Sequence, residues 1–285
     1  MHAIKATILR YRLLALIFVS YLIAAPVKAD PGGYEIFEDG KILLGVGAAK
    51  VRLDSNIKIT DKQSGNSIFM DLEGTLGLPS ISSVTNFYGG YRFNPNHAIG
   101  IGYFQIDRSS QLLDFAGDLD DVVFVKANAT LTDKTAFTRL FYGYSLFRDE
   151  RSTVRLLGGL FVLDLQYILE AEGSITVDGV TLKRTLREEV SQVVPLPMFG
   201  FDFNFFFTPK WSLDASIVLV GGSYQDVSAG VLQSTIRTTY HATRHLGLDL
   251  GITYFDADVT IDKETERQEV TYGYDGISLG LHVKF

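Results

Sequence analysis

No cysteine occurs in the 285 residues, and after the first thirty no apolar run reaches the ~20 residues that a transmembrane helix needs. The first absence excludes a fold held by disulfides. Because no cysteine follows the N-terminal apolar stretch, it also excludes a lipoprotein. The second absence excludes a helical membrane protein but leaves the closed β-barrel, which also pairs every backbone group internally. Positive charge is scarce as well: 26 Lys and Arg stand against 33 Asp and Glu, a formal net charge of −7. Without clustered Lys and Arg the chain does not suit phosphate backbones, so nucleic acid is not an expected partner.

What is abundant is glycine and aromatic residues, with 27 Gly, 20 Phe and 14 Tyr. The N-terminus reads as a secretory signal. Lys5, Arg10 and Arg12 precede an apolar core over residues 13–25, and Val27-Lys28-Ala29 supplies small residues at −3 and −1 of a cleavage site before Asp30. The expected organisation is a cleaved signal peptide over 1–29, a periplasmic lead-in over 30–41 and a barrel domain over 42–285. At the other end, Ile277, Leu279, Leu281, Val283 and Phe285 alternate with Ser278, Gly280, His282 and Lys284. A period of two places these sets on opposite faces of one strand. One face suits lipid and the other a polar lumen.

The same alternation recurs along the chain. Strands are expected over 43–53, 84–93, 98–107, 138–147, 153–167, 193–207, 213–219, 232–240, 246–254 and from 269 to the end. Short polar turns fall at 94–97, 148–151, 208–210 and 242–245, while 56–65, 109–121, 170–189 and 256–268 read as long polar loops. Pro195 and Pro197 cannot donate ladder bonds and suggest an irregular rim or bulge. Outer-membrane barrels have short periplasmic turns, longer outer loops and usually an even strand number. Four short turns and two periplasmic termini therefore predict an all-β, antiparallel up-and-down transmembrane barrel of ten strands. Eight or twelve remain open, because 67–72 and 122–131 could each add a strand. Phe93, Phe147, Phe207, Trp211, Tyr240 and Phe285 lie beside the short turns, where an aromatic girdle belongs.

Several short runs carry a resemblance: LGLPS, YGGYRFNPNHAIGIGYFQIDR, VPLPMFGFDFNFFFTPKWSL and GISLGLHVKF. Within them, residues 91–94, Asp107-Arg108, residues 195–200 and Trp211 match a pattern of turn and strand ends. On these runs the chain resembles a widespread group of small, porin-like proteobacterial outer-membrane β-barrels. The resemblance implies a barrel in the outer membrane of a Gram-negative cell and transfers no functional residue. The terminal strand, Ile277, Leu279, Leu281, Val283 and Phe285, likewise resembles the C-terminal signal by which such barrels are inserted. The partners this implies are the barrel-assembly machinery, outer-membrane lipid and lipopolysaccharide.

Eight ionisable residues share the lumenal parity: Arg92, Arg139, Asp202, Asp214, Arg237, Asp249, His282 and Lys284. A barrel of about ten strands has a narrow interior that side chains can fill. Buried charges must pair. These residues are expected to form a lumenal ion-pair network that plugs a non-enzymatic barrel, serving envelope structure or surface interaction. The alternative is a charge-lined channel for small solutes. A third reading is an outer-membrane protease or lipid hydrolase, since Asp120-Asp121 resembles the acidic rim residues of omptins. General-base chemistry requires a histidine within hydrogen-bond reach. His97, His241, His245 and His282 all fall at the short-turn end, and His2 leaves with the signal, so no catalytic residue is assigned. The acidic stretch 114–121 lacks the spacing of a calcium loop, and neither a metal nor a cofactor is expected.

Overall fold

Alternation of apolar and polar residues becomes strand throughout. The computed structural model describes residues 41–119, 122–177, 180–224 and 226–285; the expected signal peptide and the lead-in as far as residue 40 lie outside them, as do Asp120 and Asp121. Eleven strands follow in order: β1 (Ile42–Asp61), β2 (Ser67–Asp71), β3 (Ile81–Asn94), β4 (His97–Leu119), β5 (Val122–Arg148), β6 (Ser152–Val177), β7 (Val180–Thr208), β8 (Trp211–Tyr224), β9 (Val227–His241), β10 (Leu246–Asp262) and β11 (Glu266–Lys284). Sequence neighbours pair antiparallel around the sheet, except that β3 pairs with β1 and not with β2. β11 returns to β1, from Leu43 opposite Lys284 to Asp61 opposite Glu266. Ten strands close the barrel. The eleventh, β2, is a short addition that pairs with Asn56–Thr60 of β1 above the point where β3 leaves off.

All four short turns form where expected, and in each a side-chain oxygen next to the bend accepts backbone N–H groups. Asn94 Oδ1 accepts from Asn96 (2.9 Å) and His97 (3.1 Å). Asp149 Oδ1 accepts from Arg151 (2.8 Å) and Ser152 (2.6 Å). Thr243 Oγ1 takes His245 and Leu246, and Thr208 Oγ1 takes Lys210. Such bonds let a short polar residue stand in for a turn of backbone.

The long connections differ from expectation. The segments expected as polar loops are largely strand: β4 continues to Leu119, β6 and β7 run out to Val177 and Val180, and β10 and β11 nearly meet at Asp262 and Glu266. Above the lipid both faces of a hairpin can meet water, so the ladder persists while the alternation that would reveal it disappears. Residues 122–131, open as an extra strand, are the outer part of β5.

The barrel wall is not continuous to the top. The β3–β4 ladder stops at Asn86 and Phe104, and the β7–β8 ladder at Met198 and Val220. Beyond these points β4–β7 form one sheet and β8–β11 with β1 and β2 another, and apolar side chains pack between them. Leu163, Leu165, Val194 and Leu196 on one side share a core with Val227, Val231, Val259 and Val270 on the other. Residues 72–80 fill the first break, with Leu72 and Leu78 buried against Leu131 and the Ser110 hydroxyl donating to the Leu76 carbonyl at 2.7 Å. At the second break sit Pro195 and Pro197. Their ladder to β6 is regular, so they mark a strand edge rather than a bulge.

Candidate functional site

Outward-facing side chains define a band at the short-turn end. Ile42, Leu44 and Val46 of β1, Ile99, Ile101 and Tyr103 of β4, and Ile277, Leu279 and Leu281 of β11 are all exposed. Farther along the same faces the residues turn polar, with Arg52 bonded to Asp275 (2.8 Å) and Lys58 to Glu269 (2.7 Å). An apolar belt on an otherwise polar wall is the surface of a barrel that faces lipid. Phe93, Phe147, Phe207, Trp211 and Phe285 are exposed at its lower edge, and Trp211 packs on Tyr240 with centroids 4.9 Å apart.

Inside, the lumen has two halves of opposite character. At the level where the belt ends, the bore is crossed by Ile106 (β4), Phe137 (β5), Phe161 and Leu163 (β6), Val194 and Leu196 (β7), Val218 (β8) and Phe255 (β10), each at most 2% exposed. Phe137 is the hub. It stacks on Phe104 (4.4 Å) and meets Phe255 edge-on (5.0 Å), and Phe255 in turn stacks on Tyr274 (4.8 Å). Contributions from six strands close the bore with apolar atoms. The ion pairs expected in the lumen do not lie at this level, where the packing is apolar; those that form, Asp249 with His282 and Asp214 with Arg237, lie below it. Burial of aliphatic and aromatic surface seals a barrel without the cost of desolvating charge.

The eight charged residues expected in the lumen do point inward, but they gather at the short-turn end below this plug. Asp249 accepts from the Tyr88 hydroxyl (2.5 Å), His282 Nδ1 (2.9 Å) and the Thr239 hydroxyl (2.6 Å). Asp202 pairs with Arg155 (2.9 Å), while Asp214 takes the Asn204 amide (2.9 Å) and lies 4.0 Å from Arg237. Arg139 has no carboxylate within 4.0 Å among the described residues; its Nη1 reaches Gln233 at 3.4 Å. Arg92 and Lys284 line the cavity near its rim. Two rings lie flat across the neighbouring strand because glycine is opposite. A Cβ on Gly45 would come within 2.2 Å of Tyr88, and one on Gly247 within 2.4 Å of His282.

Sequence reasoning missed several members. Arg155 sits on β6, where Leu157, Phe161, Leu163 and Leu165 also point inward, so apolar residues occupy both faces and the alternation is blurred. Asp249 and His282 share a parity but are 33 residues apart, and only the β10–β11 register brings them together. His241 Nε2 meets the Ser212 hydroxyl at 3.1 Å, both deeply buried, with Phe206 stacked on the imidazole. A separate node lies above the belt. There Arg108 bonds Glu73, Asp133 (2.7 Å) and the Ser55 hydroxyl (2.6 Å), and Glu73 also accepts the Ser55 hydroxyl (2.6 Å). This node ties residues 72–80 to β1, β4 and β5.

No protein family matches the sequence, and no curated protein does. The similarity to the small porin-like group therefore rests on the short runs alone. Solved structures do match. The outer membrane protease OmpT from Escherichia coli aligns with a TM-score of 0.52 at 10% identity, over 85% of this chain and 97% of that one. The outer membrane protein OprG from Pseudomonas aeruginosa aligns with a TM-score of 0.37 at 11% identity, over 86% and 96%. At such identities the likeness extends to the fold and no further: the chain has the closed antiparallel β-barrel architecture seen in bacterial outer-membrane proteins.

Proposed function

We propose that the protein is a non-enzymatic barrel of the bacterial outer membrane, closed to through-flow and serving envelope structure or surface interaction. The carrying observation is the apolar layer built from six strands across the bore. In this reading the short turns face the periplasm and the long hairpins of β4–β7 project outward. Outer-membrane lipid and lipopolysaccharide contact the apolar belt, and the barrel-assembly machinery engages β11. The channel alternative is weakened by the same layer. The hydrolase reading is weakened by the seclusion of the polar groups: Ser212 and His241 are 1% and 3% exposed, and His282 Nε2 is buried with no hydrogen-bond partner among the described residues. A general base needs reach to its substrate.

Purified protein in planar lipid bilayers should show no steady conductance, and sizeable, long-lived current steps would overturn the closed reading. Orientation is tested separately. An epitope inserted between residues 178 and 179, in the connection from β6 to β7, should bind antibody on intact cells.

A further inference from the structure

The bore is not filled from end to end. Below the aromatic layer a cavity of about 400 Å3 extends to the rim residues Lys41, Arg92 and Lys284. That is within the roughly 300–1,000 Å3 typical of small-molecule sites. Its inner end is apolar, formed by Phe104, Phe137, Phe161 and Tyr274. Its flank is cationic: Arg139, Arg155 and Arg237 join the three rim cations, and among the described residues three carboxylates stand against them, Asp202 and Asp214 in the lining and Asp249 behind Tyr88 and His282. All three are engaged, Asp202 by Arg155, Asp214 by Asn204 and at 4.0 Å by Arg237, and Asp249 by Tyr88, Thr239 and His282.

Donor capacity is left over on two guanidinium groups. Arg139 reaches Gln233 at 3.4 Å and lies 6.0 Å from the Phe141 ring centroid, with no carboxylate within 4.0 Å among the described residues. Arg237 lies under Tyr88 at 5.4 Å; its Nε is 4.0 Å from Asp214 and makes no hydrogen bond among the described residues. They project from β5 and β9 into the same cavity. Two like charges in a narrow space with few water molecules between them repel more than they would in bulk water. An anion between them relieves that repulsion and meets the planar donor forks that suit a carboxylate.

We propose that this cavity binds a small amphiphilic carboxylate, with its head on Arg139 and Arg237 and its apolar body against the Phe104, Phe137 and Phe161 rings. The inference goes beyond the closed-barrel reading and is independent of it, because binding and conductance are measured separately.

The test is calorimetric titration of the whole protein in non-ionic detergent micelles, with protein-free micelles as blank. The probes are 2-naphthoate, its neutral analogue 2-naphthamide, and inorganic phosphate. Naphthoate should bind at least about tenfold more tightly than either of the others, a difference of ~1.4 kcal/mol. Arg139→Gln should weaken it by about tenfold or more. Ser216→Phe, which fills the cavity and leaves both arginines in place, should weaken it comparably. Heat-modifiable migration on gels verifies that each variant is folded. Equal affinity for acid and amide, equal affinity for phosphate, or naphthoate binding that survives both substitutions overturns the proposal.

Discussion

Arg108 and Arg52 show how differently the same side chain behaves at two depths. Arg108 is 4% exposed and holds two carboxylates and a hydroxyl at once. Replacing it with Met leaves Glu73 and Asp133 as uncompensated buried charges, a loss of about 3–5 kcal/mol. The heat-modifiability midpoint of Arg108→Met should fall clearly below that of the parent. Arg52 bonds Asp275 in full solvent, and Arg52→Ala should cost no more than about 1 kcal/mol and leave the midpoint nearly unmoved. Glu269, above the belt, illustrates the titration side. The hydrogen bond from Lys58 holds its carboxyl below the ordinary carboxylate value. A depressed folded value means that the contribution is present above the unfolded value and is lost as pH falls through the folded one. In an NMR titration of labelled glutamate, Lys58→Met should move the Glu269 midpoint upward.

Among elements, β11 carries the most consequence, since it is paired on both sides and completes the ring through β1. Phe285 is bound into that closure, its carbonyl accepting the N–H of Ile42 at 3.0 Å and its own N–H donating to the Ile42 carbonyl at 2.9 Å. Deleting Phe285 should reduce the fraction of chain recovered as heat-modifiable, protease-resistant barrel in outer-membrane fractions. Removing residues 114–121, the outer end of β4 and the two residues that follow it, should not. Equal recovery of the two variants would remove the insertion-signal reading of the last strand. The lower strands were legible in the sequence because lipid and lumen impose opposite chemistry on alternate residues. The upper strands, such as 109–119 and 170–177, were not legible, because no such contrast acts on them. Ser67–Asp71 was visible as strand, yet its place beside β1 rather than in the ring depends on where β3 begins to pair.

For the whole molecule, the proposed closure turns on the division of the lumen into an apolar layer and a cationic vestibule. Phe137 and Phe255 are packed at the centre of that layer, and truncating each removes buried aromatic surface worth about 3–5 kcal/mol. A Phe137→Ala, Phe255→Ala double variant that still migrates as a folded barrel should show current steps absent from the parent. Those currents should favour anions, since six cations against three carboxylates, Asp202, Asp214 and Asp249, stand along the path below. Cation-selective current would contradict the charge balance of the vestibule.

The sequence by itself determined the fold class, the four short turns and the inward parity of Arg92, Arg139, Asp202, Asp214, Arg237, Asp249, His282 and Lys284, and it favoured ten strands while leaving eight or twelve open. Period-two patterning and turn chemistry are local, and each can be read within about ten residues. The tertiary structure decided the strand count, which of those charges meet, that Arg139 has no carboxylate within 4.0 Å among the described residues, and that Phe137 and Phe255 pack together across the lumen. Those outcomes depend on strand register and on which side chains face each other across a closed ring. Both are relations between residues tens to hundreds of positions apart, and no local pattern encodes them.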